Sequence, residues 1–359
     1  MAVRANPVRI AVVGLNHGRF LARAVRANGE AELVGVCTRN PDRHLQELER
    51  LQAPLFPDIE TLIYETAPEG IVIAAPTDYL VPMAKSCLAR NVHVLVEKPL
   101  GVSVASVLEL KRAAELSEAK VVVGYYRRLS RQVVALRSLL DRGVIGEVLG
   151  VSCKWMIQKP TDYFRGWKAS RSRGGGCLMI NFIHDFDLLQ SLFGPIQAVA
   201  AMQGGVPGSE DLEHFLAIQM RFAQGQIATA MLSDQCPSPY SYENTVMETT
   251  HFPRYPVDSH HFFGTLGSLA FPSFTLYSSP SPRSSWRDPL AMTVASSANE
   301  TTEDPLALEI EHFLTVVRQR AQPHATIDDA LRNLAVVEAV RRSLDSRRIE
   351  TICIHSSDA

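Results

Sequence analysis

Residues 93–101 read HVLVEKPLG, and chemistry begins where the apolar run stops. Val94, Leu95 and Val96 have the composition of a buried strand, and Glu97, Lys98 and Pro99 follow without a spacer. A carboxylate and an ammonium at the mouth of a buried strand are costly unless something engages them. Pro99 fixes the turn and is a candidate for a cis bond. A second set lies on residues 176–193, which have helical periodicity. There Asn181, His184 and Asp187 step by three as a narrow polar stripe, while Ile180, Ile183, Leu188 and Leu192 point elsewhere. Imidazole titrates near neutral pH and suits general acid–base work, although a helical histidine also serves as a satisfied structural residue.

A third set is VVGLNHGRF. Gly14 stands where a tight turn needs glycine, but Asn16 occupies the second position of G-x-G-x-x-G and Arg19 the third, with Gly18 one place early. Asparagine tolerates positive φ better than most residues, so the turn is expected to survive with Asn16 in it. Gly14, Asn16 and His17 would then face a pyrophosphate, with a helix from Gly18 aiming its amides at it. An ordinary strand–helix turn would use the same residues. About 20 residues downstream an NAD site usually presents an acid. Here the second strand ends GVCTRNPDR, with Thr38 and Arg39 in that place and Arg43 one turn on. A hydroxyl and guanidiniums suit a 2′-phosphate, so NADP is expected in preference to NAD; a solvated loop arginine would read the same way.

Two kinds of chain must position these sets. Residues 1–124 alternate apolar runs (8–13, 31–37, 70–75, 92–97 and 120–125) with helical segments such as 18–28. That pattern predicts a doubly wound parallel sheet, the Rossmann dinucleotide-binding arrangement. Residues 125–359 predict an α+β domain with a large, mostly antiparallel sheet. A helix at 130–142 leads to alternating strands at 147–157, 214–223 and 225–234, whose closeness and the turn at Gln224-Gly225 predict antiparallel pairing. Residues 278–302, rich in Ser, Pro and Thr, read as a surface loop. Two helices close the chain and are expected to pack between the domains; the second is capped by Thr326 with Asp329 three residues on.

The 359 residues give room for two domains, and 46% hydrophobic with 21% charged is the balance of a soluble globular chain. A net charge of -2 offers no field for nucleic acid or an anionic membrane. No apolar run reaches the roughly 18 residues of a spanning helix, and the opening MAVRANPVRIAVVG does not read as a signal peptide because Gly14 interrupts it. Cysteines 37, 87, 153, 177, 236 and 353 lack any C-x-x-C and read as buried thiols of a cytoplasmic protein. His260 and His261 are adjacent on a predicted strand and must face opposite ways, so they are not a metal pair, and no metal site is expected.

Four ordered segments carry a family resemblance. NVHVLVEKPLG resembles the GKHVLVEKP signature of the Gfo/Idh/MocA oxidoreductases, which include glucose–fructose oxidoreductase and inositol dehydrogenases. IAAPTDYL (73–80) is similar to that family's IATPTxxH, with Tyr79 or Leu80 replacing the histidine. VGYYRRL (123–129) resembles VGYNRRF, and GGGCLMINFIHDFDLLQSLFG (174–194) resembles GGGxLxDxGxHxxDLxxxLxG.

The resemblance implies roles. Lys98 would orient or polarise the reacting hydroxyl beside the nicotinamide, and Glu97 would bond the cofactor ribose or fix the lysine. Ala75, Pro76 and Thr77 would line the cofactor, as would Lys168, which follows Trp167 where the family has arginine. His184 would be the general acid/base, and Tyr126, Arg127, Trp167, Asn181 and Asp187 would meet the substrate. The family often has Asp four residues before the histidine; here that residue is Ile180, and Asn181 can hydrogen-bond but cannot act as a carboxylate base. The implied activity is hydride transfer between NAD(P)(H) and a secondary alcohol or ketone of a sugar, inositol or related polyhydroxylated small molecule. A homodimer or homotetramer paired through the C-terminal sheet is implied as well. Two alternatives share the fold. One is a glycosidase working through tightly held NAD, against which Arg39 speaks. The other is a non-catalytic nucleotide-sensing regulator, against which the presence of both Lys98 and His184 speaks.

Overall fold

The computed structural model describes residues 6–160, 162–205, 212–246, 252–279, 281, 285–296 and 303–353. The chain up to Tyr126, together with Asp304–Leu331, forms one compact unit; the remainder of the described chain forms a second.

In the first unit the apolar runs become strands β1 (Val8–Val13), β2 (Ala31–Cys37), β3 (Leu55–Phe56), β4 (Gly70–Ile73), β5 (His93–Val96) and β6 (Val121–Val123). All pair in parallel, in the order β3-β2-β1-β4-β5-β6. Between them run helices α1 (Gly18–Ala27), α2 (Leu45–Leu51), α3 (Ile59–Thr66), α4 (Thr77–Leu88) and α5 (Val104–Glu115). Every residue of β4 and β6 is buried, the signature of a sheet covered on both faces. Chain direction across the sheet reverses between β1 and β4, and the crevice beyond their carboxyl ends is where such folds take ligands.

Helix α9 (Pro305–Val317) belongs to the first unit, where Leu306, Ile310, Phe313 and Leu314 share a core cluster with Leu21, Ala22 and Val25 of α1. The boundary between the units falls inside α10 (Ile327–Ser346). The expected cap of α10 is present: the Asp329 N–H donates to Thr326 Oγ1 at 3.2 Å, and the Thr326 N–H donates to Asp329 Oδ2 at 2.8 Å.

The second unit is built on a nine-stranded sheet in the order β14-β13-β12-β11-β7-β10-β9-β8-β15. After α6 (Arg131–Asp141), its elements are β7 (Val148–Met156), α7 (Ile183–Phe193), β8 (Ile196–Gln203), β9 (Phe215–Phe222), β10 (Ile227–Ser233) and the short α8 (Tyr242–Thr245). There follow β11 (His260–Gly264), β12 (Gly267–Phe271), β13 (Thr275–Ser278), β14 (Ala291–Val294) and β15 (Glu350–Thr351). β9 and β10 pair antiparallel across their short turn, as expected. β7 does not: it pairs in parallel with β10 and antiparallel with β11. The long chain between β7 and β10 permits a crossover, which a hairpin-length link would not. β14 lies within the segment expected to be loop; its four residues are all exposed at a sheet edge, so no apolar alternation marked it. Among the described residues, no helix is long and apolar enough to cross a membrane.

Candidate active site

The first unit gathers one group of residues at the carboxyl ends of β1, β2, β4 and β5. Gly14 has φ +87°, and a Cβ there would collide with the Ala74 carbonyl at the end of β4. Its N–H donates to the Cys37 carbonyl at 2.8 Å, joining the end of β1 to the strand that delivers Thr38 and Arg39. The loop therefore keeps the close approach for which a dinucleotide fold uses its first glycine. Asn16 is exposed and does not adopt positive φ, so the expected left-handed asparagine is corrected: the turn needs only Gly14. His17, also exposed, sets its Nε2 at 3.2 Å from Glu97 Oε1.

Glu97 is buried beneath this loop. Burial works against its charge, but His17 and Lys98 outweigh that and hold the carboxyl below the usual range. The Lys98 N–H donates to Glu97 Oε2 at 3.2 Å, the Lys98-Pro99 peptide is cis, and the lysine is half-buried. Gly124 keeps the neighbouring strand end clear, since a Cβ there would stand 3.3 Å from the Glu97 carboxylate. Ala75 and Pro76 lead into α4, whose first residue is the buried Thr77.

One residue beside this group escaped the sequence reading. The Arg39 guanidinium lies 4.3 Å above the ring of Tyr79, in the first turns of α4. Tyr79 was legible only as a departure from the family's histidine. Arg43 is exposed on the 3-10 turn Pro41–His44.

The second unit positions His184. Its segment is not one regular helix: Leu178–Phe182 form a π turn, closed by the Ile183 N–H on the Leu178 carbonyl, before α7 proper begins. Such turns often re-aim side chains at functional sites. Asn181 sits in the π turn with its Oδ1 buried and without a hydrogen-bond partner among the described residues. His184 is buried at the start of α7. The triple glycine before the turn packs on the Trp167-Lys168 loop, where the Gly176 N–H donates to the Lys168 carbonyl at 3.2 Å and a Cβ on Gly175 would strike that carbonyl.

Three expected substrate residues are engaged within the protein. Asp187 is fully engaged, accepting Arg128 Nε at 2.8 Å, Arg128 Nη2 at 2.6 Å and Asn333 Nδ2 at 2.9 Å. The π turn breaks the stripe between Asn181 and His184, while Asp187 is held by its bonds to Arg128 and Asn333. Arg127 is buried over the Tyr242 ring and pairs with Asp185 at 3.1 Å and Glu243 at 2.9 Å. Burial disfavours the charge of Asp185, but Arg127 and His260 together hold its carboxyl below the usual range. Tyr126 closes the first unit, half-buried against its core. All three have partners within the protein, which their sequence does not announce.

Comparison with known proteins bears on both halves. Residues 8–125 match the family described as "Oxidoreductase family, NAD-binding Rossmann fold". Residues 137–354 match "Oxidoreductase family, C-terminal alpha/beta domain". Inositol 2-dehydrogenase of Rhizobium meliloti is 23% identical over 365 residues, 95% of this chain and 98% of that protein. The 2,7-anhydro-N-acetylneuraminate hydratase of Escherichia coli is 26% identical, over 62% of this chain and 60% of its own length. An uncharacterised oxidoreductase of Synechocystis is 27% identical, over 54% of this chain and 53% of its own. The matches to these last two span less than two thirds of either relative. A putative NADPH-dependent oxidoreductase from Desulfitobacterium hafniense superposes with a TM-score of 0.81 at 22% identity, covering 97% of this chain and 98% of that one. The WlbA dehydrogenase of Bordetella pertussis, solved with NADH and UDP-GlcNAcA, superposes at 0.76 with 17% identity, covering 97% and 99%. At these identities the structural likeness speaks to the fold.

Proposed function

Because the chain belongs to the Gfo/Idh/MocA oxidoreductases, we propose that it transfers a hydride between a nicotinamide cofactor and a secondary alcohol or ketone of a polyhydroxylated small molecule. The observation that carries this reading is the meeting of the Gly14 loop with the Glu97–Lys98 strand end through His17, 3.2 Å from Glu97. That contact brings a phosphate-type loop and a charged pair to one edge of one sheet.

The nicotinamide, when bound, supplies the hydride acceptor or donor. The first unit fits such a group, since Gly14 leaves a cradle that a Cβ would fill. The buried Glu97 carboxylate accepts hydrogen bonds from ribose hydroxyls, and Lys98 orients the substrate hydroxyl. In the second unit His184 takes up or returns the hydroxyl proton, and Asn181 offers its unpartnered amide oxygen to the substrate. NADP is the preferred cofactor: Thr38 and Arg39 stand where an acid would otherwise bind the ribose, and the Tyr79 ring steadies the guanidinium.

The open face of the large sheet supports self-association. β9 and β10 alternate buried and exposed residues, and Met202, Ile227 and Met231 lie exposed on it. We place a homodimer or homotetramer interface there. The described cysteines are all free thiols, which supports a reducing, cytoplasmic setting. The test is spectrophotometric. Purified protein with NADP or NAD and a panel of inositols, sugars and sugar acids should change absorbance at the reduced-nicotinamide band; silence across the panel in both directions would overturn the reading.

A further inference from the structure

In the second unit two lysine ammonium groups lie against one aromatic ring. Lys159 Nζ lies 4.7 Å from the centre of the Tyr163 ring, and Lys168 Nζ lies 3.9 Å from the same ring. Lys159 also stands 5.3 Å from the Trp155 ring. Neither lysine forms an ion pair among the described residues, although both are half-buried.

The acids close by are already committed. Glu243 accepts Trp155 Nε1 at 3.0 Å and Arg127 Nη2 at 2.9 Å. Asp234 holds His214 Nδ1 at 2.9 Å and 3.0 Å through its two oxygens. Burial lowers the titration of both lysines; for Lys159 the charges of Glu243 and Asp234 oppose this in part, and Lys168 adds to it. Burial raises Tyr163 to about 12, so its phenol remains a neutral donor. Two half-buried cations held against one ring, the charge of Lys168 acting on Lys159, cost free energy that an arriving anion would relieve.

Their position ties them to the candidate site. The Lys159 N–H donates to the Asp234 carbonyl at 2.8 Å, beyond the parallel ends of β7 and β10. Lys168 sits on the loop whose carbonyl receives the Gly176 N–H, directly before the π turn that carries Asn181.

We infer that Lys159, Lys168 and Tyr163 form a subsite for the carboxylate of an anionic substrate, a sugar acid or other polyhydroxylated acid. This rests on the oxidoreductase reading and narrows its substrate class. Two point-charge ammoniums and one phenol match a singly charged, two-oxygen group. A phosphate dianion would call for a richer donor set than this.

The test uses cofactor-saturated protein and matched ligands: D-glucuronate against D-glucose, D-gluconate against D-glucitol, and glucose 6-phosphate as the phosphate arm. Dissociation constants are read by calorimetry. The carboxylates should bind at least tenfold tighter than their neutral partners, and Lys159→Met and Lys168→Met should each reduce that ratio severalfold. Loss of packing alone would weaken both members of a pair and leave the ratio unmoved. Equal binding of acid and neutral partner, a ratio that survives both substitutions, or preference for the phosphate would overturn the subsite. So would failure of every carboxylate to bind. Nicotinamide turnover with a neutral polyol in that case would leave the oxidoreductase reading standing.

Discussion

His17 Nε2 lies 3.2 Å from Glu97 Oε1, so the loop after β1 reaches the charged end of β5. Burial opposes the Glu97 charge, and the histidine is the first of the contacts that overcome it. Cofactor affinity that depends on the Glu97 carboxylate must fall as pH drops through that group's titration. His17→Ala removes a stabiliser of the charged form, so the acid limb of cofactor binding should move to higher pH. Fluorescence titrations with NADPH across pH 4–8 check this, and an unmoved limb would remove His17 from the account.

In the proposed reading Arg39, held over Tyr79, favours NADP. A charge-assisted hydrogen bond is worth about 1.5–3 kcal/mol, so Arg39→Ala should lower the NADP-to-NAD affinity ratio by roughly ten- to a hundredfold. Tyr79→Ala should lower it less. An arginine that only stacks on adenine would weaken both cofactors alike and leave the ratio constant.

Asp187 is held by Arg128 and Asn333. Breaking a buried ion pair by removing one partner typically costs about 3–5 kcal/mol, and Asp187→Ala removes the carboxylate that Arg128 and Asn333 both bond. Denaturant melts should show a loss of that order. A variant as stable as the wild type would return Asp187 to the candidate ligand-binding residues.

Glu309, on α9, is buried with neither carboxyl oxygen hydrogen-bonded among the described residues. Burial, and then the charge of Glu97, push its carboxyl well above the ordinary range. A group raised on folding contributes stability that is complete at low pH and is lost as pH climbs through the folded value. Glu309→Gln keeps the neutral shape, so its melting temperature should overtake that of the wild type as pH rises from 6 to 9. Parallel curves would mean that the folded Glu309 carboxyl is not raised into this range.

Much of this architecture can be read without coordinates because a sheet buried on both faces must be apolar along its strands. Gly14, Glu97, Lys98 and Pro99 stood out for the same reason, as exceptions to an apolar pattern. The second unit was less legible. A π turn adds one residue to a helical repeat, so the even spacing of Asn181 and His184 does not set them on one regular helix face, and nothing in that spacing told that Asp187 bonds Arg128 and Asn333. Arg127 and Asp185 form a buried pair whose members are far apart in sequence, and no local signal separates such residues from ligand-binding ones. β14 escaped because an exposed edge strand carries no alternation. Lys159 and Tyr163 carry no motif, and only the fold sets both lysines against one ring.

The central claim is proton-coupled hydride transfer governed by Lys98 and His184. Its most direct measurement is the steady-state turnover of wild type, Lys98→Ala and His184→Ala with the best substrate of the panel, each variant first shown to be folded by its melting temperature. Loss of an acid–base group costs roughly 10²-fold or more, so each variant should fall to about one hundredth of wild-type kcat or below. Folded variants that keep near-normal kcat would contradict the assignment.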